Sequence, residues 1–283
     1  MSQPELPFTG ERFTPECVRE IWYEHWHRYA FALPLVRGRR VLDAACGEGY
    51  GSALLARSAA SVVGADLSTE AIEHARQRYC GHENLRFDVA DVTALDVAPG
   101  SFDLVVSFET LEHVEAQDAM LAGFARALTD DGLLLVSSPD RYTYSDLSGY
   151  RNEFHVRELY RDEFESLIAR HFPAHRLYGQ KLLFQSALWA LDTDGGALLA
   201  QTSDRGAQEV TDGFAYAPLY FVAVCAKHKE ALDGLPALGL FGDREESVYR
   251  HYNDEVRRHI AAGHRLIELE AEVARLKALL ERA

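Results

Sequence analysis

The chain has 283 residues, with 29 Lys and Arg against 44 Asp and Glu for a formal net charge of −15, and it is 47% apolar and 26% charged. That balance suits a soluble globular protein of one large domain, or one domain with an appendage, and the acidic surplus opposes tight sequence-independent binding to nucleic acid, which needs Lys and Arg to neutralise phosphates. No apolar run approaches the ~20 residues that span a bilayer, and the first residues show no basic stretch leading into an apolar one. Cys17, Cys46, Cys80 and Cys225 form no C-x-x-C pair, which speaks against a structural zinc site or a disulfide scaffold and for a cytoplasmic location.

In chain order, residues 15–36 have helical periodicity, with Pro15 near the start, and form an N-terminal helical cap over 1–38. RRVLDAA (39–45) is a short, solidly apolar run, as in a strand covered on both faces. A glycine-rich turn at 47–51 leads into SALLARSA, and SVVGAD (61–66) is a second buried strand. Ser68 is placed to cap a helix through EAIEHARQRY, with Glu70 favourable to its dipole. LRFDVAD (85–91), FDLVVSF (102–108) and LLLVSS (133–138) are strands three to five, with a helix expected over about 110–128. Short buried strands alternating with helices predict an α/β fold: a doubly wound, mostly parallel seven-stranded Rossmann-like sheet over 39–227.

The later chain is less regular. Residues 157–172 form an amphipathic helix, 176–189 and 217–227 look like strands, and polar 190–214 is an insertion or mobile loop. Residues 228–245 are glycine-bearing linker, and 246–283 a C-terminal helix. Leu266, Leu269, Val273, Leu276 and Leu280 alternate in spacing between three and four, a coiled-coil seam of about two heptads that is unfinished at Ala283. So short a seam is marginal alone and should meet a copy of itself or the body of the protein.

VLDAACGEGYGS (41–52) is the strongest chemical feature. Glycines let the backbone approach a ligand, and the following helix offers unpaired N–H groups. Asp43 ends the first strand, Asp66 the second and Asp91 the third. A nicotinamide cofactor fits less well, because the glycines fall at 47, 49 and 51 rather than as G-x-G-x-x-G, and Asp43 would face a pyrophosphate. The array over about residues 8–227 resembles the class I S-adenosylmethionine-dependent methyltransferases. The resemblance implies that Asp43, Ala45, Gly47 and Gly49 hold the methionine part of S-adenosyl-L-methionine. It also implies that Asp66 binds the ribose diol with Leu67 under the adenine, that Asp91 and Val92 lie by the adenine amine, and that Phe108 borders the cofactor.

For the chemistry, three places supply candidates. Glu109, Glu112 and His113 would share a face if a helix begins near 109, with His113 as the leading general base. With His155 they resemble the metal site of small-RNA 2′-O-methyltransferases and, in part, that of ubiquinone-pathway O-methyltransferases, which implies a possible Mg²⁺ or Mn²⁺ on Glu109, Glu112, His113 and His155. The loop after strand five offers Arg141, Tyr142, Tyr144, Tyr150 and Asn152, a lining suited to a polyhydroxylated acceptor. In the N-terminal helix, Trp22, Trp26 and Tyr29 form an apolar stripe, leaving His25, His27 and Arg28 to face a ligand.

GERFTPE with EHWHRYAFA is similar to bacterial methyltransferases of surface-polysaccharide and glycan assembly, which often join a methyltransferase domain to a coiled coil or glycosyltransferase modules. The resemblance implies O-methylation of a sugar or other polyhydroxylated acceptor, small molecule or glycan, by a homo-oligomer. One rival is methylation of a small aromatic or carboxylate metabolite, which a bulky apolar acceptor pocket would favour. Another is a catalytically silent scaffold, opposed by the intact acid and glycine set. RNA methylation is disfavoured by the charge, and no kinase-like glycine loop or H-R-D is present.

Overall fold

The structure is a computed structural model that describes residues 13–192, 198–204, 206 and 208–282. Seven strands form one sheet: β1 (Arg40–Ala44), β2 (Ser61–Asp66), β3 (Leu85–Val89), β4 (Phe102–Ser107), β5 (Leu128–Pro139), β6 (Ala174–Gln180) and β9 (Tyr220–Ala226). Their order is β3-β2-β1-β4-β5-β9-β6, parallel except for β9, which runs antiparallel to both of its neighbours. A separate hairpin pairs β7 (Gln201–Ser203) with β8 (Val210–Asp212).

Both faces of the sheet are covered, which is why the strands read as continuous apolar runs. Alternate residues nevertheless go to opposite cores. Leu42, Val105, Leu134 and Val136 pack with Phe124 of α4 (Gln117–Ala127) and Phe164 of α5 (Arg161–His171). Val41, Leu104, Val106, Leu133 and Leu135 pack with Tyr29, Ala32 and Val36 of α1 (Glu20–Val36) and Leu55 of α2 (Tyr50–Ala56). In α3 (Thr69–Arg78) the hydroxyl of Ser68 accepts from the Ala71 amide at 3.2 Å, the predicted cap. Strand order reverses between β1 and β4, and ligands of open α/β sheets bind at the carboxyl ends of the strands at such a point.

Three expectations are corrected. No continuous helix spans 110–128: a 3₁₀ turn covers Leu111–His113, Val114 is extended and α4 begins only at Gln117. Glu109 has φ 52°, outside helical geometry, so Glu109, Glu112 and His113 do not share a helix face. Strand β6 stops at Gln180, opposite Tyr220, and 181–189 continues without strand pairing. The 228–245 linker packs on the body: Leu232 and Leu235 are buried, and Phe241 meets Trp22, Tyr23 and His27. The 190–214 stretch carries the β7–β8 hairpin, with 193–197, 205 and 207 outside the described residues, as are Gly10, Glu11 and Arg12 of GERFTPE.

Beyond the body, α6 (Ser247–Leu280) is a single helix of 34 residues. Leu266, Leu269, Val273, Leu276 and Leu280 are all exposed along it. Among the described residues no helix is long and apolar enough to cross a membrane.

Candidate active site

The turn after β1 is built on left-handed backbone. Ala45, Gly47 and Gly49 have φ of 60°, 55° and 91°. A Cβ on Gly49 would lie 2.7 Å from the Phe87 ring, so glycine is required there for conformation and for space. Asp43 is completely buried behind the turn, where Ser52 donates to it at 2.6 Å and Tyr29 at 3.1 Å. Burial pushes its carboxyl up to about 7 against those two donors, with the charge of Asp66 adding to the rise. Asp66 clamps the turn from β2, accepting from the amides of Gly47 at 2.8 Å and Ser68 at 2.9 Å. Beside it Leu67 is 70% exposed, an apolar platform at the lip of the sheet, while Val92 and Phe108 are buried. Asp91 is taken up in capping, accepting from the Thr93 amide at 2.8 Å and its hydroxyl at 2.7 Å.

Glu48, inside the glycine turn, is buried and receives Tyr79 at 2.8 Å, with His74 at 3.1 Å and Arg78 at 3.0 Å. It ties the turn to α3 and its C-terminal flank. Nothing in its local sequence pattern sets it apart, because Tyr79, His74 and Arg78 reach it from 26 to 31 residues further on.

At the end of β4 a second cluster gathers. Ser137 donates to Glu109 Oε1 at 2.6 Å while the Glu109 amide donates back to Ser137 Oγ at 2.9 Å. The same Glu109 oxygen lies 3.4 Å from Arg28 Nη2. Arg28 is buried: its Nε donates to Gln180 at 2.8 Å, and its guanidinium lies 4.5 Å from the Tyr220 ring centroid. Its Nη1 has no hydrogen-bond partner among the described residues. Tyr220 donates to Glu24 at 3.2 Å, and burial pushes the Glu24 carboxyl up to about 7 although Arg28 acts to lower it. Glu24, Gln180 and Tyr220 escaped the sequence reading. Only the four-residue spacing of Glu24 from Arg28 hinted at the first; the others arrive from the far end of the chain.

Behind Glu109, His113 donates from Nδ1 to the Phe154 carbonyl at 3.0 Å, and its ring meets that of His155 edge-on at 5.0 Å. Tyr144 stacks on His155 at 5.4 Å. Glu112 is buried, and neither of its carboxylate oxygens has a hydrogen-bond partner among the described residues. Burial, then the charge of Glu109, holds its carboxyl well above the ordinary range.

Of the substrate candidates, Arg28, Tyr144, Asn152 and His155 thus join the cluster. His25 instead stacks on Phe13 at 4.3 Å and meets the Tyr50 hydroxyl at 3.2 Å, and its basicity is pushed well down by burial. His27 stacks on Phe241 and lines the cavity beside Glu24 and Arg28. Arg141 lies over the Tyr160 ring and Tyr142 is exposed, both on the outer side of the loop. Tyr29, read as apolar stripe, is a donor to Asp43.

Ligating atoms of Glu112, His113 and His155 lie within 4.8 Å of one another. The donor set does not fit a divalent ion as it stands. His155 is engaged at both nitrogens, by Asn152 at 2.9 Å and Glu158 at 2.6 Å, and Glu109, the fourth expected ligand, faces the Arg28 guanidinium.

The glycine turn, the acid clamped on it and the exposed Leu67 stand together at the switch point, where open α/β sheets bind their ligands. The model of the methyltransferase domain family matches residues 35–183. A probable S-adenosylmethionine-dependent methyltransferase of Mycobacterium tuberculosis is 38% identical over 166 residues, 58% of this chain and 60% of that protein. A ubiquinone biosynthesis O-methyltransferase of Idiomarina loihiensis is 34% identical over 122 residues, covering 42% of this chain and half of the relative. The chain thus matches about three fifths of the length of the mycobacterial relative and half of the other. The YcgJ protein of Bacillus shares the fold, with a TM-score of 0.52 and 18% identity over 72% of this chain and all of that one. The chain belongs to the S-adenosylmethionine-dependent methyltransferase family.

Proposed function

We propose that the protein transfers a methyl group from S-adenosyl-L-methionine to a hydroxyl of a sugar or other polyhydroxylated acceptor, in bacterial glycan or glycosylated-metabolite biosynthesis. The supporting observation is the cluster of acids, bases and hydrogen-bonding rings at the end of β4, one strand from the donor turn: Arg28, Glu109, His113, Tyr144 and His155. The name of the Idiomarina relative, an O-methyltransferase, is consistent with a hydroxyl acceptor.

A sulfonium donor brings an already electrophilic methyl, so the chain's task is to hold it, align the acceptor and remove a proton. Asp43 and the 45–49 turn would hold the amino-acid end, and Asp66, Leu67, Asp91 and Val92 the adenosyl end. Arg28 and Glu109 orient the acceptor oxygen. His113, its ring fixed by the Phe154 carbonyl, takes the hydroxyl proton as the O–CH₃ bond forms and the S–CH₃ bond breaks. Burial and the charge of Glu109 both disfavour the charged form of Glu112, which limits the negative charge beside Glu109. The exposed seam of α6 supports self-association.

The test begins with calorimetric titration of S-adenosylhomocysteine into the wild type and Asp66→Ala. Micromolar binding lost in the variant is the expected result, and no binding to the wild type would overturn the donor assignment. With an acceptor in hand, His113→Ala should lose at least ~100-fold in kcat, and unchanged turnover would remove His113 as the base.

A further inference from the structure

A cavity of about 500 Å³ opens between α1, the ends of β6 and β9, the 214–218 segment and the packed 237–241 segment. That volume lies in the range of small-molecule sites, about 300–1,000 Å³. Its lining is of two kinds. Glu24, Arg28 and Gln180 form a joined polar group, Gln180 accepting from Arg28 at 2.8 Å and donating to the Glu24 carbonyl at 2.9 Å, and Arg28 is the residue that faces Glu109. The rest of the lining is largely apolar, with Phe31, Leu182, Leu183, Phe214, Leu238 and Leu240, and includes Tyr23, His27 and Tyr216. Lys181 and Arg161 also border the space, and neither is buried.

The buried Arg28 Nη1 has no hydrogen-bond partner among the described residues. A desolvated guanidinium N–H left unpaired costs more than a neutral donor would, and an oxygen entering the cavity would satisfy it. Burial favours the neutral form of Glu24, so the charges at the polar group are the opposite ones of Arg28 and Glu109, which suit a neutral hydroxyl better than an anion. The apolar walls ask for something else: a chain or ring that would be costly to leave in water, at roughly 25 cal/mol per Å² of apolar surface buried. A free sugar would meet the first demand and leave the second unanswered.

We propose that this cavity is the acceptor pocket and that its occupant is an amphipathic alcohol, a hydroxyl-bearing head joined to an alkyl chain or aromatic ring, with the head at Arg28 and the apolar body between Leu183 and Leu240. This deepens the acceptor assignment and rests on the methyltransferase reading in which a hydroxyl beside Glu109 is the methylated group.

The test titrates three probes, glucose, n-hexyl β-D-glucoside and 1-hexanol, into the full chain saturated with S-adenosylhomocysteine. Calorimetry or tryptophan fluorescence reports binding. The expected result is hexyl glucoside binding at least tenfold tighter than glucose, with the gain lost in Leu183→Arg and in Leu240→Arg. Leu240 is 69% exposed at the mouth of the cavity, so its variant should fold normally, and unchanged S-adenosylhomocysteine affinity in both variants verifies the donor site. Hexanol binding as tightly as hexyl glucoside would uphold the pocket and count against a polyhydroxylated head. Glucose and hexyl glucoside binding equally would overturn the pocket while leaving a sugar acceptor standing. Hexyl glucoside binding unaltered in both variants, or no probe binding to a protein that binds S-adenosylhomocysteine, would also overturn it.

Discussion

Two non-glycine residues in the left-handed region stand at the carboxyl ends of adjacent strands, Ala45 after β1 and Glu109 after β4. Such backbone costs on the order of 1 kcal/mol per residue and persists where its surroundings fix it. Here the Asp66 carboxylate holds the turn that follows Ala45, and Ser137 holds Glu109 at both its amide and its carboxylate. Gly49 meets the same demand without strain, which makes it a sharp probe. Gly49→Ala would set a methyl group against Phe87 at a φ of 91°, so a loss of about 2 kcal/mol or more is expected by thermal unfolding, with weaker S-adenosylhomocysteine binding. A variant as stable as the wild type would show that the turn can relax. At the second cluster, the engagement of His155 by Asn152 and Glu158, with the pairing of Glu109 and Arg28, leads to a prediction about metals. Treatment with a chelator should leave turnover unchanged, and calorimetry should detect no Mg²⁺ or Mn²⁺ uptake; activity abolished by the chelator and restored by either ion would refute it.

Element by element, legibility followed how local the determining interactions are. Strand β2 begins and ends where the apolar run does, because both of its faces are buried and no partner needs to be known. The helix expected over 110–128 failed because the apolar spacing persists through a break made by backbone geometry, φ 52° at Glu109 and extended Val114, which residue identity does not reveal. Strand β6 ended early because β9 offers no residue beyond Tyr220 opposite Gln180. The glycine turn after β1 could be placed because its glycines and acids are contiguous with strand ends, whereas Glu24, Gln180 and Tyr220 meet across separations of 156 and 196 residues. Helix α6 is the element whose pattern is clear and whose seam is exposed in this chain. With Leu266, Val273 and Leu280 at a and Leu269 and Leu276 at d, Arg265 and Glu272 occupy g while Glu270 and Lys277 occupy e. In a parallel pair, g meets the e position five residues on in the partner, so Arg265 faces Glu270 and Glu272 faces Lys277, both attractive. Deleting residues 264–283 should therefore lower the mass seen by light scattering to that of one chain. An unchanged mass would move self-association elsewhere.

At the scale of the whole molecule, the burial of acids on the helix α1 side of the sheet has a thermodynamic signature. Glu24 is a buried residue of α1 and Asp43 lies behind the glycine turn, and in both burial raises the carboxyl to about 7 from ordinary values of 4.5 and 3.8. The folded state therefore holds protons that the unfolded chain releases more readily. Such groups contribute stability that is fully present below their unfolded values and is lost as pH rises through 7. Exposed carboxylates held low by arginine or histidine, such as Asp103 and Asp118, act in the opposite sense and at lower pH, where solvent screening keeps each contribution small. Between pH 5.5 and 8 the balance should thus tip toward lower stability, with Glu24 alone contributing on the order of 2 kcal/mol. For a chain of this size that corresponds to a fall in Tm of roughly 4 °C. Glu24→Gln keeps a neutral, hydrogen-bonding group against Tyr220 and should flatten that fall, leaving the remainder to Asp43. Parallel Tm–pH curves for the wild type and the variant would mean that Glu24 is ionised in the folded protein across the whole range, held so by Arg28 against the cost of burial.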